Sequence, residues 1–61
     1  MLARHFFDLM VDDVRGEFER IVRLGATAVQ PPYDFAEENM KMVIATLADP
    51  DGNYFQLVSM E

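Results

Sequence analysis

The sequence contains no cysteine, and it has few basic residues for its number of acids. Without cysteine, no disulfide, thiolate nucleophile or cysteine-ligated zinc can stabilise the fold or carry its chemistry. Five lysines and arginines against eleven acids give a net charge of -6, which repels phosphate backbones and anionic membrane surfaces. No apolar run approaches the roughly 20 residues of a spanning helix. Nucleic-acid and membrane partners are therefore not expected.

The sequence does contain a large apolar fraction in a short chain. Its 61 residues, of which 51% are hydrophobic, make a single domain, residues 1–61. A folded chain of this size buries only about 60% of its unfolded surface and is marginally stable alone. Because small apolar domains without disulfides often gain stability by association, we expect an oligomer. The first residues lack the zones of a signal peptide, which predicts a soluble cytoplasmic protein.

The first half of the chain predicts a strand followed by a helix. Alternating apolar residues predict a strand over 4–11, with both faces largely apolar. The period then lengthens, and an apolar stripe at helical spacing predicts a helix over 13–24. Asp13 is the expected N-cap, and Gly25 is the expected left-handed residue after the last turn.

Three further strands are predicted, with two breaks between them. Pro31 and Pro32 should end the first of the three, since proline cannot donate to a strand ladder, and the acidic stretch 33–39 is predicted to be a loop. The sequence Asp-Pro-Asp-Gly at 49–52 is a strong hairpin-turn signal. The strands are predicted over 26–30, 40–48 and 53–59.

This order of elements predicts an α+β fold, a single βαβββ module with one helix on a four-stranded mixed sheet. One helix covers only one face of such a sheet. The face under the helix is expected to carry Phe7, Leu9, Val11, Val43, Ala45, Leu47, Phe55 and Leu57. The opposite face is expected to carry Phe6, Asp8, Met10, Met42, Ile44, Thr46, Tyr54, Gln56 and Val58. An uncovered apolar face of this size indicates an interface or a ligand groove.

Three segments carry a resemblance to a known family. They are 11–14 (Val-Asp-Asp-Val), 23–26 (Arg-Leu-Gly-Ala) and, above all, 49–57 (Asp-Pro-Asp-Gly-Asn-Tyr-Phe-Gln-Leu). Through them the chain resembles the vicinal oxygen chelate superfamily, which includes glyoxalase I, bleomycin-resistance proteins, fosfomycin-resistance enzymes and extradiol dioxygenases. The resemblance is to one module, the C-terminal half of the usual pair. It implies that a second βαβββ module, from a homodimer or another chain, completes a cup around the site.

The resemblance also implies a metal site, which this sequence does not fill. Enzymes of the superfamily hold a divalent ion with His or Glu side chains on inward-facing strand positions, where the ion acts as a Lewis acid. The two matching positions here are Gln56, which brings no charge, and Phe6, which cannot ligate. His5 is adjacent, but strand alternation points it to the other face. We expect no catalytic metal and no other cofactor, with His5 and Gln56 as the weak candidates if a divalent ion binds.

The polar residues of the uncovered face each have two interpretations. Asp8 can anchor a ligand or act as a base, or it can pair with Arg4 or Lys41 or lie at an exposed edge. Tyr54 and Gln56 can hydrogen-bond a ligand in an apolar cup, or they can satisfy each other or a dimer mate. The predicted ligand-binding residues are Phe6, Asp8, Met10, Met42, Ile44, Thr46, Tyr54 and Gln56.

These observations predict a module that dimerises and binds a small apolar or cationic molecule in the cup between sheets, with no catalytic residue of its own. Two alternatives stay open. The chain can be a fragment of a metal-dependent lyase, isomerase or dioxygenase whose main metal ligands lie in a missing first module. It can also be a non-catalytic remnant that only folds and self-associates.

Overall fold

The computed structural model describes residues 6–60 of the chain, with side chains from Asp8 onward. The α+β class and the single βαβββ module are confirmed, since one helix lies on a four-stranded mixed sheet. The predictions for His5 and for the side chains of Phe6 and Phe7 lie outside the described part. The elements in chain order are β1 (Phe6–Met10), α1 (Val14–Arg23), β2 (Thr27–Glu37), β3 (Met40–Ala48) and β4 (Tyr54–Met60).

The two ends of α1 are fixed by the residues that the sequence predicted. Asp13 has an extended backbone, and its carboxylate accepts a hydrogen bond from the Gly16 amide at 3.1 Å, as an N-cap does. Gly25 adopts a φ of 119°, and its N–H donates to the Val22 carbonyl at 3.0 Å. No helix in the described part of the chain is long and apolar enough to cross a membrane.

The strand order across the sheet is β1-β4-β3-β2. β1 runs parallel to β4, whereas the other two neighbouring pairs are antiparallel. β1 and β2 therefore lie at opposite edges, and the chain must cross the whole sheet between them. α1 makes this crossing on one face, and no other helix within residues 6–60 covers the opposite face.

Asp49 organises the turn between β3 and β4. Its carbonyl accepts from the N–H of Gly52 at 2.9 Å, and its Oδ1 accepts from the amides of Asn53 at 2.8 Å and Asp51 at 3.0 Å. These hydrogen bonds favour the charged carboxylate and so hold the pKa of Asp49 below its ordinary value; the bond from the Asn53 backbone amide contributes most. The predicted hairpin turn is confirmed, and Gly52 supplies the positive φ of 87°.

The prediction of a short second strand followed by a loop over 33–39 is wrong. β2 extends over eleven residues and pairs with β3 as far as the hairpin end. The pairing of β2 with β3 shifts register on each side of Gln30, and the strand continues through Pro31 and Pro32. Because β2 is an edge strand, one of its sides has no ladder to maintain, and prolines are tolerated there.

The core lies between α1 and the sheet face that it covers. Val14, Leu47 and Leu57 are the largest fully buried side chains, and Val43 and Ala45 complete the buried cluster. Partly buried side chains from α1, including Phe18 and Ile21, pack against it. The helix-side face is thus confirmed for Val11, Val43, Ala45, Leu47, Phe55 and Leu57.

Leu9 lies on the helix-side face, as predicted, since it pairs with Leu57, but the helix does not bury it in this core. α1 contacts β2, β3 and β4, but it does not reach β1. Leu9 therefore stays 41% exposed at the edge of the sheet. Alternation along β1 correctly predicts which face of the sheet each side chain occupies. It does not predict how far across the sheet a ten-residue helix extends.

Candidate functional site

The sheet face turned away from α1, which we call the open face, carries the predicted ligand-binding residues. Its side chains form rows across the strands, because directly paired residues on neighbouring strands point to the same side of a sheet. The pairing registers therefore show which side chains stand next to one another.

A row of four polar side chains crosses the open face, one from each strand. Thr46 in this row is buried and Gln56 is half-buried, whereas the two outer members are exposed. The row offers one carboxylate, two carboxamides and one hydroxyl, and so both donors and acceptors of hydrogen bonds. We call this set the polar row, and in spatial order it consists of Asp8, Gln56, Thr46 and Gln30.

Apolar side chains flank the polar row on both sides. Tyr54 and Ala48 pair with each other on one side of it. On the other side the exposed fractions are large for apolar groups, 65% for Met10 and 52% for Met60. An apolar surface around a few polar groups is the usual composition of a small-molecule site. The two rows on that second side are Met10, Val58, Ile44 and Tyr33, followed by Met60, Met42 and Phe35.

The open face carries acids and, within residues 6–60, no base. Asp8 lies in the polar row, and Glu37 lies at the hairpin end of β2. Lys41 alternates to the opposite face of β3, so the ion pair of Asp8 with Lys41 that the sequence allowed is not formed. The other partner, Arg4, lies outside the described residues. A ligand against this face therefore meets negative charge.

The described side chains do not fit a resident divalent ion. Gln56, at the position where the superfamily usually has Glu, brings a neutral amide oxygen next to a single carboxylate, that of Asp8. Across residues 6–60, no three His, Asp or Glu side chains converge as a metal site would require. Protein sites for zinc, magnesium or calcium use at least three or four ligands, usually with more charge. His5, the other weak candidate for a ligand, lies outside the described part.

Among the open-face residues that were not predicted from the sequence, β2 contributes Gln30, Tyr33 and Phe35. Tyr33 and Phe35 were missed because β2 was expected to end before Pro31, whereas Gln30 lay within the predicted strand 26–30 and joins the polar row through the register shifts. A signal was present, since the two aromatic residues stand two positions apart, which is the period of a strand. Their inclusion extends the site over all four strands, and Gln30 completes the polar row.

Residues 6–60 of a single chain do not enclose the open face. Two hollows beside its methionines, of about 190 Å³ and 230 Å³, are shared with side chains of the opposite face, among them Lys41 and Ser59, so neither is a pocket of the open face. Small-molecule sites usually measure about 300–1,000 Å³ and bury most of the ligand surface. A ligand on this face needs a second protein surface to be enclosed.

The glyoxalase-like domain family matches the chain over residues 3–58, which is nearly its whole length. No curated protein and no solved structure gives a significant match. The matched range contains the first four elements completely and most of β4, so the family match and the βαβββ fold cover the same residues. The chain therefore belongs to the glyoxalase-like domain family, within the vicinal oxygen chelate superfamily.

Proposed function

We propose that two copies of this chain together form a cup, and that the cup binds a small, partly apolar molecule against the polar row without a catalytic metal. The observation that carries the proposal is the polar row itself, set between apolar rows on a sheet face that no described element covers. Membership of a superfamily whose members usually combine two such modules supports the second copy.

The shape of the chain also supports a second copy. The molecule is a slab of 36 × 29 × 15 Å, with a radius of gyration of 11.9 Å. A compact chain of this length has a radius of gyration of about 10.5 Å. Its accessible surface is 4553 Å², against about 4,000 Å² for a monomeric protein of the same mass. The chain exposes more surface than a self-sufficient domain, and association would remove the excess.

Each part of the open face has a role in binding under this proposal. The carboxamide of Gln56 and the hydroxyl of Thr46 are the most enclosed polar groups, and they would orient the ligand by hydrogen bonds. The methionines on one side of the polar row supply flexible, polarisable side chains that adapt to an apolar group. Asp8, with no base beside it among the described residues, favours a ligand that carries a positive charge.

A titration with small aromatic amines tests the proposal. Phenethylamine, tryptamine and their neutral alcohol analogues are added to isotope-labelled protein containing EDTA, and the amide signals are followed by NMR. We expect saturable shifts at residues 44–46 and 56–58, and smaller shifts when Gln56→Leu removes the central carboxamide. The control variant is Asn39→Ser, which removes a side-chain carboxamide in the turn between β2 and β3, far from the polar row.

Two other results would contradict the proposal. Binding that appears only when manganese, zinc or nickel replaces EDTA would favour the metal-dependent enzyme fragment. Self-association without a response to any ligand, up to about 10 mM, where even very weak binding is visible, would favour a remnant that only folds and associates.

A further inference from the structure

The open face concentrates the sulfur of this chain. Every methionine within residues 6–60 points to that face, and the four are Met10, Met40, Met42 and Met60. Because successive strand positions alternate between the two faces of a sheet, the fold itself does not require all of them to share one side. Three of the four are also strongly exposed, with exposed fractions of 65% for Met10, 42% for Met40 and 52% for Met60.

Three of these methionines stand at the corners of a small triangle. Met42 pairs directly with Met60 across β3 and β4, which sets their Cβ atoms about 4.5–5.5 Å apart. Met40 lies two residues before Met42 on β3, about 7 Å along the strand, and diagonally from Met60 at about 7–8 Å. The centre of this triangle is about 4 Å from each corner. We call Met40, Met42 and Met60 the methionine cluster.

The side chains of the cluster can bring their sulfur atoms to one point. Methionine is unbranched and has three rotatable bonds, so each thioether can be directed to a position above the centre of the triangle. Thioether sulfur is a soft ligand that selects copper(I), whereas magnesium, calcium and manganese prefer oxygen. The chain has no cysteine, so its thioethers are its only sulfur ligands.

The surroundings of the cluster favour a positive charge. Glu37 pairs with Met40 across β2 and β3 and lies on the same face, whereas Lys41 points to the opposite face. Phe35 pairs with Met42 and adds an apolar side chain beside the cluster. Attraction between unlike charges is less screened next to apolar groups than in open water. A cation above the cluster therefore meets a carboxylate one strand away and, within residues 6–60, no base on its face.

We infer that the methionine cluster is a binding site for a soft monovalent cation, copper(I) or its analogue silver(I). Met40, Met42 and Met60 supply three thioether ligands, and Glu37 balances the charge of the ion without coordinating it. The site lies apart from the position where the superfamily holds a divalent ion, since Met60 is four residues beyond Gln56 on β4, about 13 Å along the strand. All three ligands come from one chain, so the inference does not depend on association or on the proposed function.

A titration with silver nitrate tests the site directly. Silver(I) has the charge and softness of copper(I) and is stable in air. The protein carries ¹³C-labelled methionine methyl groups, and the buffer contains neither chloride nor thiols. We expect the three methyl signals of the cluster to shift together and to saturate at about one equivalent. The signal of Met10, about 12 Å from the centre of the triangle, should stay in place.

Two results of this titration would overturn the inference. The first is a gradual shift of all the methionine signals alike, Met10 included, without saturation, because that is the behaviour of separate thioethers. The second is an equal response of the cluster to zinc, which a set of soft, uncharged ligands should not bind.

Two leucine variants measure how much the arrangement of the thioethers contributes. Met42→Leu and Met10→Leu each replace an open-face methionine by an apolar residue of similar size, so both should fold, which circular dichroism checks. Affinity for copper(I) is measured by competition with bicinchoninate under anaerobic conditions with ascorbate. We expect Met42→Leu to weaken binding at least about tenfold and Met10→Leu less than about twofold. Equal losses would overturn the assignment of the cluster.

The role of Glu37 has its own test in the same competition assay. Glu37→Gln keeps the size of the side chain and removes its charge, and it should weaken copper(I) binding about threefold at low salt. Asp51→Asn, in the turn between β3 and β4 at the other end of the sheet, should leave the affinity unchanged. Equal effects of the two variants would overturn the part assigned to Glu37.

Discussion

The amide of Gly16 donates to Oδ1 of Asp13 at 3.1 Å, and a side chain at Gly16 would collide with that same carboxylate. Glycine in a helix costs about 1 kcal/mol relative to alanine, so its presence here needs a reason. The reason is local: the glycine leaves room for the N-cap, not for close packing between helix and sheet. Gly16 is exposed, as the start of an N-capped helix often is.

This contact predicts that Gly16→Ala and Asp13→Ala are strongly non-additive. Gly16→Ala gains about 1 kcal/mol of helix propensity but displaces a cap worth about 1 kcal/mol, so alone it should change stability little. In the Asp13→Ala background the same substitution should stabilise the fold by about 1 kcal/mol. Urea unfolding of the four proteins at one fixed concentration measures the cycle. Additive effects would show that the two residues do not interact.

The hydrogen bonds around Asp49 predict a stability change in acid. They lower the pKa of the folded carboxyl below the unfolded value of 3.8, so their contribution is present above that pH and is lost as the pH falls through the folded pKa. Asp49→Asn should therefore reduce the melting temperature at pH 7, and the difference from the wild type should shrink below about pH 3.8. Asp51→Asn, at an exposed residue of the same turn, is the control. A difference that is constant with pH would argue against a charge effect at Asp49.

Local signals in the sequence predicted more of this structure than the long-range arrangement. Asp13, Gly25 and the turn at 49–52 act through bonds within a few residues, so their effect is readable from neighbours in the chain. The length of β2 was predicted wrongly because proline is excluded only from a strand that is paired on both sides. β2 is paired on one side, and this depends on the order of strands in the sheet, which neighbouring residues in the sequence do not reveal.

The candidate site was predicted in part for the same reason. Alternation in β3 and β4 assigned Thr46 and Gln56 to one face, and the structure brings them side by side. Gln30 joins them only through two register shifts, which no period in the sequence reveals. The exposure of Leu9 depends on where the helix crosses the sheet, which is a matter of packing and not of pattern.

Two leucines in different environments give a test of the core. Leu47 is fully buried, whereas Leu24 at the end of the helix is 75% exposed. Leu47→Ala should cost about 2–5 kcal/mol, enough to unfold much of a domain this small, while Leu24→Ala should change stability by less than about 0.5 kcal/mol. Thermal melts at equal protein concentration compare them, because association would otherwise shift both. A similar loss in the two variants would mean that Leu24 is covered in the assembled protein.

Asp8 is the one ionised group of the polar row, and its charge predicts how the cup distinguishes ligands. Phenethylamine and 2-phenylethanol have the same aromatic group and differ in the cationic amine, which a carboxylate binds by a charge-assisted hydrogen bond. Asp8→Asn keeps the size of the side chain, so it should weaken binding of the amine about tenfold and leave binding of the alcohol unchanged. Isothermal titration of both ligands measures the two effects, with Asp51→Asn as the control for a lost surface charge. Sedimentation of Asp8→Asn establishes that its association is intact. An equal loss for amine and alcohol would show that Asp8 supports the assembly or the packing of the cup, and that it does not recognise positive charge.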